Sequence, residues 1–155
     1  MAKSYYLIFA GIAGFISAIF EAIMFYLFDM VANLPSGYQF TAIGQRVLGI
    51  SGAYGQFYGL LLHFMVGTVV ALVASIIAFY IKPLNIINKE KGLLIGILAG
   101  FLILMVFSLP VNILILHLYV YEKYELVSTD FYYSMHIFYG AVWGLFLGLF
   151  IKKYH

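Results

Sequence analysis

The sequence predicts an all-α integral membrane protein, a bundle of four transmembrane helices with both termini on the cytoplasmic side. Three observations lead there. Apolar residue types make up 65% of the 155 residues and charged types only 9%, a balance suited to lipid rather than to a solvated surface. The apolar residues gather into long runs separated by short polar segments. The basic residues alternate in side: Lys3, then Lys82, Lys89 and Lys91, then Lys152 and Lys153 share one side of a four-span arrangement, with Arg46 and Lys123 on the other. That asymmetry puts both termini in the cytoplasm and the protein in the cell (plasma or inner) membrane. Residues 1–155 read as a single transmembrane domain.

The first span is expected over Tyr5 to Phe28. A secretory signal would carry a shorter apolar core and an early cleavage site, so this run reads as a retained helix. Ala10, Gly14, Ala18 and Ala22 make a small-residue stripe, and Ser17 and Glu21 fall on the same side by three- and four-residue spacing. Glu21 therefore points toward other helices. The longest connection follows, rich in glycine. Within it Phe40, Ile43, Val47 and Ile50 recur at helical spacing, which predicts a short helix over 40–50 in the outer interface, with Arg46 toward water or headgroups.

The second span, Tyr54 to Ile81, carries His63 followed at four-residue steps by Gly67, Ala71 and Ser75, and ends at Lys82-Pro83, where proline cannot continue the bond ladder. The third, Gly92 to Tyr121, has a stripe of Gly92, Gly96 and Gly100, with Ser108 and Asn112 extending the same face. Pro110 should kink it and free a carbonyl about one turn earlier. The fourth, Asp130 to Ile151, begins at the capping sequence Ser128-Thr129-Asp130 and repeats the histidine pattern: His136 is followed by Gly140, Gly144 and Gly148. Small residues at four-residue steps let helix backbones approach closely in a membrane. Ala13-Gly14-Phe15 recurs as Ala99-Gly100-Phe101, so an internal duplication of a two-helix hairpin is expected, with a pseudo-twofold axis along the membrane normal.

At about 1.5 Å of rise per residue, Glu21, His63, Asn112 and His136 lie at one depth, roughly 10 to 14 Å from the outer ends, with Ser108 about a turn deeper. His117 falls near the outer surface and His155 in the tail. Four chemistries suit this polar layer. It can be structural, a hydrogen-bonded layer that fixes helix register. His63 and His136 on diagonal helices could approach a b-type haem iron from opposite sides, as in a membrane electron carrier. Glu21, His63 and His136 could bind a divalent metal. The same three could pass protons or a cation.

Other classes find no support. The sequence has no cysteine, which excludes disulfides, thiolate metal sites and cysteine nucleophiles. It has no phosphate-binding glycine loop, Gly-x-Ser-x-Gly elbow or His-Glu-x-x-His pair. The net charge of +2 is accounted for by topology and is no argument for nucleic acid. The tyrosines and phenylalanines read mostly as an interfacial belt. The expectation is a non-catalytic membrane component that acts through helix packing, as an oligomer or as a subunit of a larger membrane complex. At least one of the stripes containing Gly14, Gly67, Gly96, Gly100, Gly140, Gly144 and Gly148 would serve that partner. The haem carrier and the proton or metal-ion transporter are the alternatives.

From His63 onward the chain resembles the YagU family of small bacterial inner-membrane proteins and related archaeal four-span proteins. The likeness lies in His63 with its stripe, Lys91-Gly92-Leu93-Leu94, Phe107-Ser108-Leu109-Pro110 and Met135-His136-Ile137-Phe138-Tyr139-Gly140, followed by basic residues. The resemblance implies the four-span architecture and draws attention to His63 and His136, and it brings no activity with it.

Overall fold

A computed structural model describes residues 3–80, 89–110 and 129–153. Among them all regular structure is helical: α1 (Lys3–Val31), α2 (Tyr38–Leu48), α3 (Gly52–Tyr80), α4 (Lys89–Ile103) and α5 (Thr129–Lys153), with a π-helical turn over Leu104–Ser108 continuing α4. By length and composition α1, α3 and α5 can each cross a membrane, and α4 contributes a shorter apolar helix over Lys91–Val106. Asn112, His117, His155 and the expected cap at Ser128 lie outside the described residues.

Each long helix runs beside its neighbours in the opposite direction. Gly14 of α1 faces Gly67, Thr68 and Ala71 of α3, while Gly11 faces Leu72. Along α1 and α5 three ring pairs mark an antiparallel seam: Phe9 with Phe150, Phe20 with Phe146, and Phe28 stacked on Phe131. Gly92, Gly96 and Gly100 of α4 meet Gly144, Gly140 and the His136 carbonyl of α5. The start of α1, the start of α4 and the end of α5 therefore share one end of the molecule.

The small-residue faces are filled from within the chain. A Cβ added at Gly96 would sit 2.9 Å from Gly144 Cα, and one at Gly140 would sit 2.6 Å from Gly100 Cα. Helix backbones this close require glycine on both sides. Gly148 belongs to the same seam, with its Cα 3.5 Å from the position of a Gly92 Cβ. The expectation that one of these stripes is left for a partner is thus corrected: Gly14 and Gly67 join α1 to α3, and Gly96, Gly100, Gly140, Gly144 and Gly148 join α4 to α5. On α5 the adjacent face carries Tyr139, Trp143, Leu147 and Ile151, which with Tyr6, Ala10, Ala13, Ala18, Ala71 and Ala78 form the main core.

The helices pack as α2 on α3, α3 on α1, α1 on α5 and α5 on α4. A twofold relation between the hairpins would make α3 meet α4 as α1 meets α5. Among the described residues that side carries no comparable packing. Just before Pro110, where the sequence leads one to expect a kink, the helix passes through the π-helical turn, in which Leu109 N–H donates to Leu104 O, one residue further back than in an α-helix.

The short helix expected over 40–50 is α2, displaced by about one half-turn. It crosses α3 with its backbone against glycines: a Cβ at Gly59 would collide with Phe40 O, and one at Gly44 with Gly55 O. Its N-terminus is capped from a distance, since Gly37 supplies no side chain. Asp29 Oδ2, at the end of α1, accepts from Gly37 N–H at 2.9 Å and Tyr38 N–H at 3.1 Å. A carboxylate there satisfies orphan amides and meets the positive end of the helix dipole.

Candidate functional site

Glu21 lies on the α1 face that also bears Ala18 and Ala22, and is only 6% exposed. Its Oε2 stands 3.7 Å from His63 Nε2 on α3. The same Nε2 lies 3.1 Å from the Ala18 carbonyl oxygen. A helix carbonyl keeps a second lone pair after its intrahelical bond, so Ala18 O can accept while its ladder stays intact. The ring tautomer sets the role of Nε2: carrying the proton it donates to Ala18 O or to a Glu21 carboxylate, and without it the nitrogen lone pair can accept the proton of a Glu21 carboxylic acid.

Two groups on α5 complete the surroundings. Tyr139 donates its hydroxyl proton to the Gly67 carbonyl, one turn along α3 from His63, and is coupled electrostatically to Glu21. His136 lies near enough to act electrostatically on His63. Aromatic rings close the rest: those of Phe25, Phe40 and Phe64 have centroids 6.2, 5.3 and 5.8 Å from the His63 imidazole. Edge-on packing of this kind fills space without offering a competing hydrogen bond.

The depth argument from sequence thus brings Glu21 and His63 into register. Ser108 is buried on the π-helical turn. Ser17, on the Glu21 side of α1, turns back to its own helix and donates to Ala13 O at 2.8 Å, as Ser75 does to Ala71 O. Ser17 is satisfied by its own helix and Ser75 also meets Tyr6 of α1, so neither hydroxyl adds to the pair.

Metal and haem fit poorly. Among the described residues no three His, Asp or Glu side chains are grouped to hold a metal ion. Glu21, His63 and His136 share a neighbourhood without forming a ligand set. For haem, His63 Nε2 would have to point away from α1 toward His136 across room for a ring. It points instead at Ala18 and Glu21, with Phe25, Phe40 and Phe64 around it.

Phe40 was legible only as one apolar position of an interfacial helix, yet it is fully buried against His63. Tyr139 sat unnoticed within the segment around His136; its one-turn offset from that histidine was the available signal. Asp29 offers no such signal, because its capping of α2 depends on a chain reversal that spacing does not encode. No family model, curated protein or solved structure matches the chain, and the resemblance to the YagU family rests on the quoted motifs alone.

Proposed function

We propose that the chain is a four-span protein of the cell membrane, with both termini cytoplasmic, whose buried Glu21–His63 pair takes up and passes protons. The carrying observation is the approach of Glu21 Oε2 to His63 Nε2 within a buried, ring-lined interior. Such a pair holds one exchangeable proton in two neutral arrangements: carboxylic acid beside imidazole, or carboxylate beside imidazolium. Moving the proton between them leaves the net charge at zero, which a low-dielectric interior favours. A second proton arriving on one group and leaving from the other converts the pair from a store into a relay, with His136 and Tyr139 shaping its electrostatics.

The four-span topology is supported by the shared end of α1, α4 and α5, which gathers Lys3, Lys91, Lys152 and Lys153 away from Arg46. Duplication is supported by Gly14 and Gly100, each of which sits against the small-residue stripe of its hairpin partner, although the two contacts differ by about a turn.

The test is Glu21→Gln, which keeps shape and hydrogen bonding but cannot release a proton. Proton flux into liposomes should fall to background while thermal stability stays near that of the native chain. Equal flux in the two proteins overturns the proposal and leaves a structural layer.

A second reading is favoured by one observation, that among the described residues α3 and α4 share no packing comparable to that of the other neighbouring helices. There the chain would act through helix contacts, with a second copy or another membrane subunit completing the bundle. Cysteines introduced at the exposed positions Val69 and Leu98 should cross-link between chains in native membranes. A wholly monomeric pattern at both positions counts against it.

A further inference from the structure

We infer that α2 is a plug on the Glu21–His63 pair: Phe40 closes the pair from the α2 end, and Asp29 latches the plug through the backbone of Gly37 and Tyr38. The inference rests on the proton-handling reading for its purpose, but the closure itself is a separate physical claim with its own readout.

Phe40 is fully buried, although it belongs to a short helix between two loops. Its ring lies 5.3 Å from the His63 ring, 6.0 Å from Phe25 and 5.3 Å from Tyr26, and so covers the imidazole from one end. The seat is shaped for the helix. Gly59 and Gly55 let the α2 backbone rest directly on α3, and Gly37 leaves room for Gln56, whose Nε2 donates to Tyr26 OH at 3.2 Å.

Three features make this plug movable. Backbone joints with positive φ flank α2, Asn33 and Gly37 before it and Gly49 and Gly52 after it, and nothing lies within 4 Å of where a Cβ would stand at Gly49 or Gly52. The connection to α3 can therefore swing without dragging packed side chains. The α2–α3 contact is mostly backbone on glycine, which gives up little side-chain interlock on separating. Finally, the latch is half-satisfied: Asp29 is fully buried, Oδ2 holds both amides, and Oδ1 has no hydrogen-bond partner among the described residues. A buried carboxylate oxygen without a donor is costly, and lifting α2 returns it to water. The closed state is held by two hydrogen bonds, the Phe40 ring and the close α2–α3 backbone contact, with Ile43 packed beside it, and is opposed by one orphaned oxygen.

The chain has no cysteine, so a single introduced thiol reports without background. Leu60 packs in the same cluster as Phe40 and Phe25. Leu60→Cys in otherwise native protein, reconstituted in liposomes, would be treated with a membrane-impermeant maleimide applied to each face in turn. Labelling should be slow. Asp29→Ala should speed it from the α2 face alone by roughly 5- to 30-fold, the range expected for losing a helix cap. Asp29→Asn, which keeps an acceptor for Gly37 and Tyr38, should leave it near the native rate. Phe40→Ala should speed labelling at least as much as Asp29→Ala. Should Phe40→Ala fail to fold, the Asp29 pair decides alone. Equal labelling in Asp29→Ala and Asp29→Asn, or acceleration from both faces, overturns the plug.

Proton flux separates this result from the function it serves. With Phe40→Ala or Asp29→Ala, flux should rise, and adding Glu21→Gln should remove the rise while labelling stays fast. Fast labelling with no Glu21-dependent flux keeps the plug and refutes the proton reading. Glu21-dependent flux with labelling unchanged by Asp29→Ala does the reverse.

Discussion

Replacing Gly96 by alanine gives a clean test of the α4–α5 seam. The new Cβ would collide with Gly140 O and stand 2.9 Å from Gly144 Cα and 3.0 Å from Gly140 C, where ordinary contact begins at 3.4 Å. The neighbours are backbone, so neither can rotate aside, and the helices must part by at least about 0.5 Å. A gap of about 0.5–1 Å forfeits roughly a quarter to a half of each dispersion contact along the seam. Alanine also favours helix over glycine by about 1 kcal/mol, which confuses any single measurement. Gly11→Ala supplies the control: its Cβ would meet only Leu72 Cδ2, a flexible tip, at 3.5 Å. In the difference between the two variants the helix preference cancels and the overpacking cost remains, about 1–3 kcal/mol. Unfolding in detergent micelles can be followed through Trp143, the single tryptophan, which is buried on α5. Gly96→Ala should be the less stable variant by that margin. If it proves equal to or more stable than Gly11→Ala, the backbone seam is not as tight as described and the stripe is available to a partner after all.

Other substitutions separate conformation from space. Gly49→Ala, at φ 69° with nothing nearby, should cost about 1–2 kcal/mol from backbone strain alone. Gly37→Ala should cost more, because its Cβ also displaces Gln56 from Tyr26, and Tyr26→Phe should narrow the gap between the two variants in the same unfolding assay. Tyr139→Phe removes the bond from α5 to the Gly67 carbonyl and should cost about 1 kcal/mol with the helices otherwise in place. A loss of helix content by circular dichroism in that variant would mean that Tyr139 holds the fold rather than one contact.

Much of this arrangement was legible before the structure. Apolar runs gave the helices, and counting depth brought Glu21 opposite His63, because helix rise is regular enough to compare positions on different spans. Partner choice was not legible. A row of glycines announces that some backbone lies close, but Gly96 carries no information on whether that backbone belongs to α5 or to another chain. The same holds where α2 crosses α3: Gly44 falls within the expected short helix and Gly55 and Gly59 within the second span, and nothing in their spacing says that they form the bearing surface between α2 and α3. Phe40 faces inward only because that bearing exists, so the residue that covers His63 could not be picked out from its own neighbourhood in sequence.

The central position of α1 has a consequence for the order of assembly. It touches α3, the next long helix in the chain, and α5, which follows α4. Once α3 has entered the bilayer, Glu21 can meet His63 and the Ala18 carbonyl can receive the imidazole proton. A buried acid of the first helix is thus sheltered before α4 and α5 are made. The α4–α5 pair, zipped by its own glycines, can then dock as a finished unit along the ring seam from Phe9 to Phe28, a late step that leaves the acid already cared for. Chain-length-limited intermediates ending after α3 should therefore already resist extraction when Glu21 and His63 are both present, and lose that resistance when His63 alone is replaced by alanine.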